Sequence, residues 1–230
     1  MPAVKRIVCL ANSRKNTGRC IAGKELVNDE AAGWVRPVSE RPSQEVSEEE
    51  RQYPDGSDPR VLDLFELPLM EPRPKAFQTE NWLLDPLAYW RPLGRATWTQ
   101  IIAMTDRPAA LWLNTSSTYS GKNDRVAQAD AEALRSSLYL LHLPRLTLRV
   151  FAPGVDFGNA KRRVLAAFIF SGAAYQVWVT DPVIERDYLA KDDGTYEVGE
   201  SCVTVSLGEA SGGFCYKLVA AIITPERAGN

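Results

Sequence analysis

A single histidine, His142, serves the whole 230-residue chain. That removes two-histidine metal sites and most two-histidine nuclease schemes, and the apolar run around it (Leu140, Leu141, Leu143) suits a histidine satisfied by the protein itself. The stretch Gly18-Arg19-Cys20-Ile21-Ala22-Gly23-Lys24 matches the Gly-x4-Gly-Lys spacing of a phosphate-binding loop, but Glu25 stands where a Ser or Thr would hold magnesium. Such a loop must also open a helix, whereas Arg19–Ala22 reads as strand, so a hairpin is the better expectation. No Gly-x-Ser-x-Gly elbow occurs, and no acid lies two residues before any lysine, the spacing of a common metal-dependent nuclease core. Asp55, Asp58 and Asp63 read as a polar loop entering a strand rather than as a carboxylate-only metal site. The four cysteines (Cys9, Cys20, Cys202, Cys215) lack Cys-x-x-Cys spacing, which argues for free thiols over zinc. Catalysis has little support, and no cofactor or metal is expected.

Charge is the stronger signal. The chain carries 27 basic and 29 acidic residues, for a net charge of −2, so attraction to a polyanion must come from local segregation. Lys5, Arg6, Arg14, Lys15, Arg19 and Lys24 fall in one stretch with no acid between them. Residues 145–178 repeat the bias with five basic residues against one acid, and residues 41–66 and 181–200 follow each basic stretch with an acidic one. A lone charge run is usually a solvated face; two alternations in the same order point to two basic hairpins that grip a nucleic acid.

The elements that would position these charges are mostly strands. Ile7–Leu10, Arg19–Ala22 and Gly33–Val38 form a meander, an acidic Pro-rich insertion runs from Ser39 to Arg60 with one helical turn at Ser47–Arg51, and Val61–Leu69 returns to strand. Trp82, Trp90, Trp98 and Trp112 lie within 31 residues; most are expected in the core, because Trp is the largest side chain available to seal a module. Asn123-Asp124 is expected to cap a helix over Arg125–Arg135. Downstream, Ser137–Leu141, Leu146–Phe151, Arg162–Phe170, Ala174–Thr180, Ser201–Leu207 and Tyr216–Ile223 read as strands. A helix over Asp181–Leu189, with Asp181 or Thr180 as cap and Pro182 at its first position, interrupts them. Three strands, a helix and two strands is the order of an OB-fold, a five-stranded Greek-key barrel.

Several motifs together resemble the prokaryotic dual OB-containing domain family: Lys5-Arg6-Ile7-Val8-Cys9-Leu10-Ala11-Asn12-Ser13-Arg14-Lys15, Gly33-Trp34-Val35-Arg36-Pro37-Val38-Ser39, Gly121-x-Asn123-Asp124-Arg125, Val179-Thr180-Asp181-Pro182 and Tyr216-Lys217-Leu218-Val219. The resemblance covers nearly the whole chain. It implies two tandem OB-like barrels and a setting among bacterial nucleic-acid-handling or defence proteins, and it transfers no catalytic residue.

The expectation is therefore a mainly β protein of two tandem OB-like β-barrels with a few short helices, one over residues 1–120 and the other over 121–230. It should bind nucleic acid, preferably single-stranded, without catalysis. The expected contacts are Arg14, Lys15, Arg19, Lys24, Trp34 and Arg36 in the first half, and Lys161, Arg162, Arg163, Tyr216 and Lys217 in the second. One rival is a protein-interaction module of a larger complex; another is a sensor of a nucleotide-like molecule held near Thr180, Asp181 and Tyr216-Lys217. No signal peptide or bilayer-spanning run is read, so a cytoplasmic location and no membrane partner are expected.

Overall fold

The computed structural model describes residues 2–229, and the chain divides into two compact units. The first takes the chain through Met104 together with Arg135–Ser137; the second takes Thr105–Leu134 and Leu138–Arg227. No helix among the described residues is long and apolar enough to cross a membrane.

In the first unit, β1 (Ala3–Lys15), β2 (Gly18–Val27), β3 (Glu30–Val38), β5 (Asn81–Leu84) and β4 (Asp63–Pro72) are neighbours in that order, and β4 pairs with β1 to close the ring. The β3–β5 pairing is parallel and the rest antiparallel, which is OB connectivity. An extra strand, β6 (Arg91–Arg95), lies along β4, and α1 (Trp98–Ala103) follows it. β1 serves both neighbours, and it bends at a bulge between Cys9 and Ala11 to do so, as barrel closure requires. Gly23 sits opposite that bulge. A Cβ there would lie 2.1 Å from the Val8 carbonyl oxygen, so only glycine allows the strands to approach.

Alternation along β1, β2 and β4 sends Ile7, Cys9, Ile21, Phe65 and Leu67 inward. Trp90 completes the core by stacking on Phe65 at 5.0 Å. Trp98 and Trp112 are buried as well, and Trp82 packs against the first core, so the Trp-rich stretch is structural. The acidic insertion does more than its composition suggests. Val46 and Tyr53 reach the core from it, Val46 pairs with Arg19 of β2, and Arg51 is buried against Asp58 at 2.9 Å. It fills the place between β3 and β4 that a helix occupies in the second unit.

That second unit repeats the connectivity. Its ring is β8 (Leu138–Phe151), β9 (Arg163–Phe170), β10 (Ala173–Val179), β12 (Phe214–Ile223) and β11 (Gly194–Ser211), closed by the β8–β11 pairing. Again the third and fifth strands in chain order, β10 and β12, run parallel. Gly199, with φ +86°, makes the irregularity that bends β11 around β8. The helix α3 (Pro182–Leu189) stands between β10 and β11 as expected. Asp181 caps it by accepting from the Val183 and Ile184 amides, and also accepts from the Ile222 amide and from Arg227 Nη1 at 2.6 Å.

The helix expected over Arg125–Arg135 is instead a strand, β7 (Arg125–Ala127), followed by the one-turn α2 (Gln128–Ala131). The Asp124 carboxylate accepts from the Thr118 amide and hydroxyl and so caps nothing, while Arg125–Ala127 pairs with β12. A free sheet edge outweighs alanine's helical preference.

Candidate nucleic-acid interface

On the second barrel, period-two alternation along β8, β9 and β10 points Arg145, Thr147, Arg149 and Phe151 to the outer surface, with Arg163, Ala167 and Ile169 beside them and Gln176 and Trp178 on the third strand. Register aligns these into rows: Thr147, Ala167 and Gln176 share one, Arg149, Leu165 and Trp178 the next, and Phe151 and Arg163 the last. The last two rows make a ladder of cations and rings. The Arg149 guanidinium lies 4.2 Å from the Phe151 centroid, Phe151 stacks on Trp178 at 5.8 Å, and Arg163 lies 4.0 Å from Trp178. Each guanidinium is thus fixed by a ring instead of a carboxylate. Burial pushes Arg163 below its ordinary value and Glu185 pulls it back, yet an arginine remains charged throughout the physiological range.

At the other end of this face lies a cavity of about 480 Å³, lined by Lys122, Arg145, Thr147, Ile169 and Gln176 among others. Lys122 reaches it because its backbone pairs with Gln176 in both directions at 3.0 Å. Arg145 pairs with Glu197 at 3.2 Å in an exposed bridge, which water screens and which contributes little. Lys122, Arg149 and Lys161 are exposed and enter no ion pair among the described residues.

Of the residues expected in this half, Lys161 is exposed in the loop after β8 and Arg163 belongs to the ladder. Arg162 is engaged within the fold; it binds Asp193 at 2.6 Å and the Leu189 and Lys191 carbonyls, tying that loop to the end of α3. Lys217 is a correction. It is 1% exposed, its Nζ donates to the Leu113 carbonyl at 2.8 Å and to Asn114 Oδ1 at 3.0 Å, and burial lowers its pKa to about 8. Lys217 therefore anchors the segment leading to Lys122 and does not present its ammonium at the surface. Tyr216 is half-buried opposite Arg125. Asp181, used by α3 and Arg227, is likewise unavailable to the nucleotide-sized ligand considered above.

The first barrel treats its cations differently. Arg14 is exposed and Lys15 and Arg19 half-buried at the β1–β2 tip, where Arg14 faces Arg19 in register. Glu45 lies nearby; the Ser43 hydroxyl donates to it, and this bond, with Arg41 and Lys15, holds its carboxyl below the usual range. Lys24 and Trp34 do come together, as register partners with the ammonium 5.6 Å from the ring. Lys24, however, is 6% exposed and donates to the Met104 carbonyl at 2.6 Å. Arg36, 4% exposed, is held by Glu80 at 3.1 Å and donates to the Ser137 hydroxyl. Neither cation reaches a phosphate without leaving a buried partner unsatisfied.

Sequence reasoning passed over Arg149, Phe151, Trp178 and Lys122. The signal was present: Arg145-x-Thr147-x-Arg149-x-Phe151 alternates with the period of a strand, as does Gln176-x-Trp178. What it lacked was the register that sets Phe151 beside Trp178.

Residues 5–222 match the dual OB-containing domain family, and the chain belongs to it. No curated protein and no solved structure matches the chain.

Proposed function

We propose that this member of the dual OB-containing domain family binds nucleic acid, preferring unpaired strands, through the outer face of β8, β9 and β10, and that it acts by binding rather than by catalysis. The observation that carries this reading is the ladder Arg149–Phe151–Trp178–Arg163, in which two stacked rings lie between two guanidiniums and which extends onto the second and third strands that OB barrels use for oligonucleotides. Lys122, Arg149 and Lys161 supply phosphate contacts and the rings supply sequence-tolerant stacking. Arg14, Lys15 and Arg19 of the first barrel make a weaker contribution, because Glu45 already draws on the charge of Lys15. A place in a bacterial defence or nucleic-acid-handling complex fits such a module.

Polarisation titrations with single- and double-stranded DNA and RNA at two salt concentrations test the reading. We expect affinity to fall steeply with salt, by about 0.7 in the log–log slope for each phosphate contacted on a single strand, and to depend little on sequence. Absence of binding to every oligonucleotide at low salt rejects it.

A further inference from the structure

Tyr119 and Phe157 are 87% and 78% exposed, and their rings meet edge to face at 6.4 Å. They come from two separate loops of the second barrel, so the contact is tertiary, and it buries almost nothing. Two exposed aromatics in mutual contact make a contiguous apolar patch rather than scattered surface residues.

The loops that carry both rings are held by hydrogen bonds. The loop carrying Tyr119 is fixed by the Thr118 contacts to Asp124, by Asn123 Nδ2 donating to the Ala174 carbonyl at 3.0 Å, and by the Lys122–Gln176 backbone pair. The loop carrying Phe157 folds on itself, with the Phe157 and Asn159 amides both donating to the Gly154 carbonyl at 2.9 Å. Each ring also has a lysine close behind it in its own loop, Lys122 after Tyr119 and Lys161 after Phe157, and both are exposed and outside any ion pair among the described residues. A base stacked between two rings needs them about 7 Å apart, twice the ~3.4 Å stacking rise, and these centroids already stand near that separation.

We infer that Tyr119 and Phe157 form a two-sided clamp for one unpaired nucleobase, with Lys122 and Lys161 taking the flanking phosphates. This rests on the nucleic-acid reading above and narrows it: a base must be out of a duplex to enter, so the clamp selects single strands. Its two aromatic faces accept any base, since every base offers a π-face. Inserting a base requires one exposed ring to turn from edge-on to parallel and the pair to open from 6.4 Å to about 7 Å.

The test compares wild type with Tyr119→Ala, Phe157→Ala and the conservative Phe157→Tyr. The probe is a ~16-nucleotide deoxythymidine oligomer, the upper end of one OB barrel's site size, alongside the same oligomer carrying 2-aminopurine and a base-free inorganic polyphosphate. Each alanine variant should bind the oligomer about 5- to 100-fold more weakly, with an unchanged salt slope and unchanged polyphosphate affinity, and should lose the stacking quench of 2-aminopurine. Phe157→Tyr should bind as wild type does. If wild type binds the oligomer and either alanine variant binds equally well with the quench intact, the two-sided clamp is wrong while the interface stands. If wild type does not bind the oligomer at low salt, the interface reading itself fails.

Discussion

The two barrels share one connectivity, but the outer face of the second holds its cations differently from the first. In the first, cations are neutralised within the fold: Lys5 by Glu25 at 2.6 Å, Arg6 by Asp29 at 2.6 Å and Arg36 by Glu80 at 3.1 Å. In the second, the outer face of β8, β9 and β10 sets guanidiniums on rings and leaves Lys122, Arg149 and Lys161 without carboxylate partners among the described residues. A basic stretch in sequence is thus no measure of a basic surface. Pairing across strands decides it, and pairing is a tertiary property.

Breaking a buried pair in the first barrel should have the largest effect and should fall on stability alone. Arg36→Met leaves Glu80 charged and buried, and we expect a loss of about 3–5 kcal/mol in urea unfolding. The double variant Arg36→Met/Glu80→Met should recover most of it and bind nucleic acid as wild type does; weakened binding by the stable double variant would return Arg36 to the interface.

Lys217 gives the corresponding test in the second barrel. Its pKa is about 8 when folded, against an ordinary 10.5, so between those values the unfolded chain holds more protons. Stability from this group therefore rises with pH across that window, by about 3 kcal/mol in all. Below pH 8 the buried ammonium costs its full desolvation penalty. The wild-type stability should gain on that of Lys217→Met from pH 8 to 10.5, and a constant difference would show that Lys217 titrates normally.

Smaller again is the loss of one ladder ring. Trp178→Ala should weaken single-strand binding by about 1–3 kcal/mol without changing the salt slope, as read from polarisation at several salt concentrations. Charge reversal at Arg14 and Lys15 should cost least, a few-fold in affinity. A loss there equal to that in the second barrel would erase the distinction between them.

Much of the architecture was legible in the chain. The strand–helix order, the Asp181-Pro182 start of α3 and the structural role of most of the tryptophans follow from local rules, because caps, prolines and alternation act over a few residues. The fates of individual charges were not legible. Lys24 faces Trp34 on the neighbouring strand and Lys217 follows Tyr216 in its own, yet their ammonium groups end on the Met104 and Leu113 carbonyls, with Lys24 and Met104 80 residues apart and Lys217 and Leu113 104 apart in sequence. Arg149 sits in a run of leucines that marks only a strand, and its place in the ladder depends on Phe151 and, across two strands, Trp178. The loop aromatics Tyr119 and Phe157 lie in Ser- and Gly-rich stretches with no periodicity to read.

The central claim, that binding resides on the outer face of the second barrel, is tested most directly by one titration. A single-stranded oligonucleotide is titrated with wild type and with Lys122→Glu/Arg149→Glu/Lys161→Glu across a series of salt concentrations. We expect the triple variant, whose three residues are exposed, to stay folded, to lose about 100-fold or more in affinity at low salt, and to show a log–log salt slope shallower by about 2. Equal affinity and equal slope in the two proteins would contradict it.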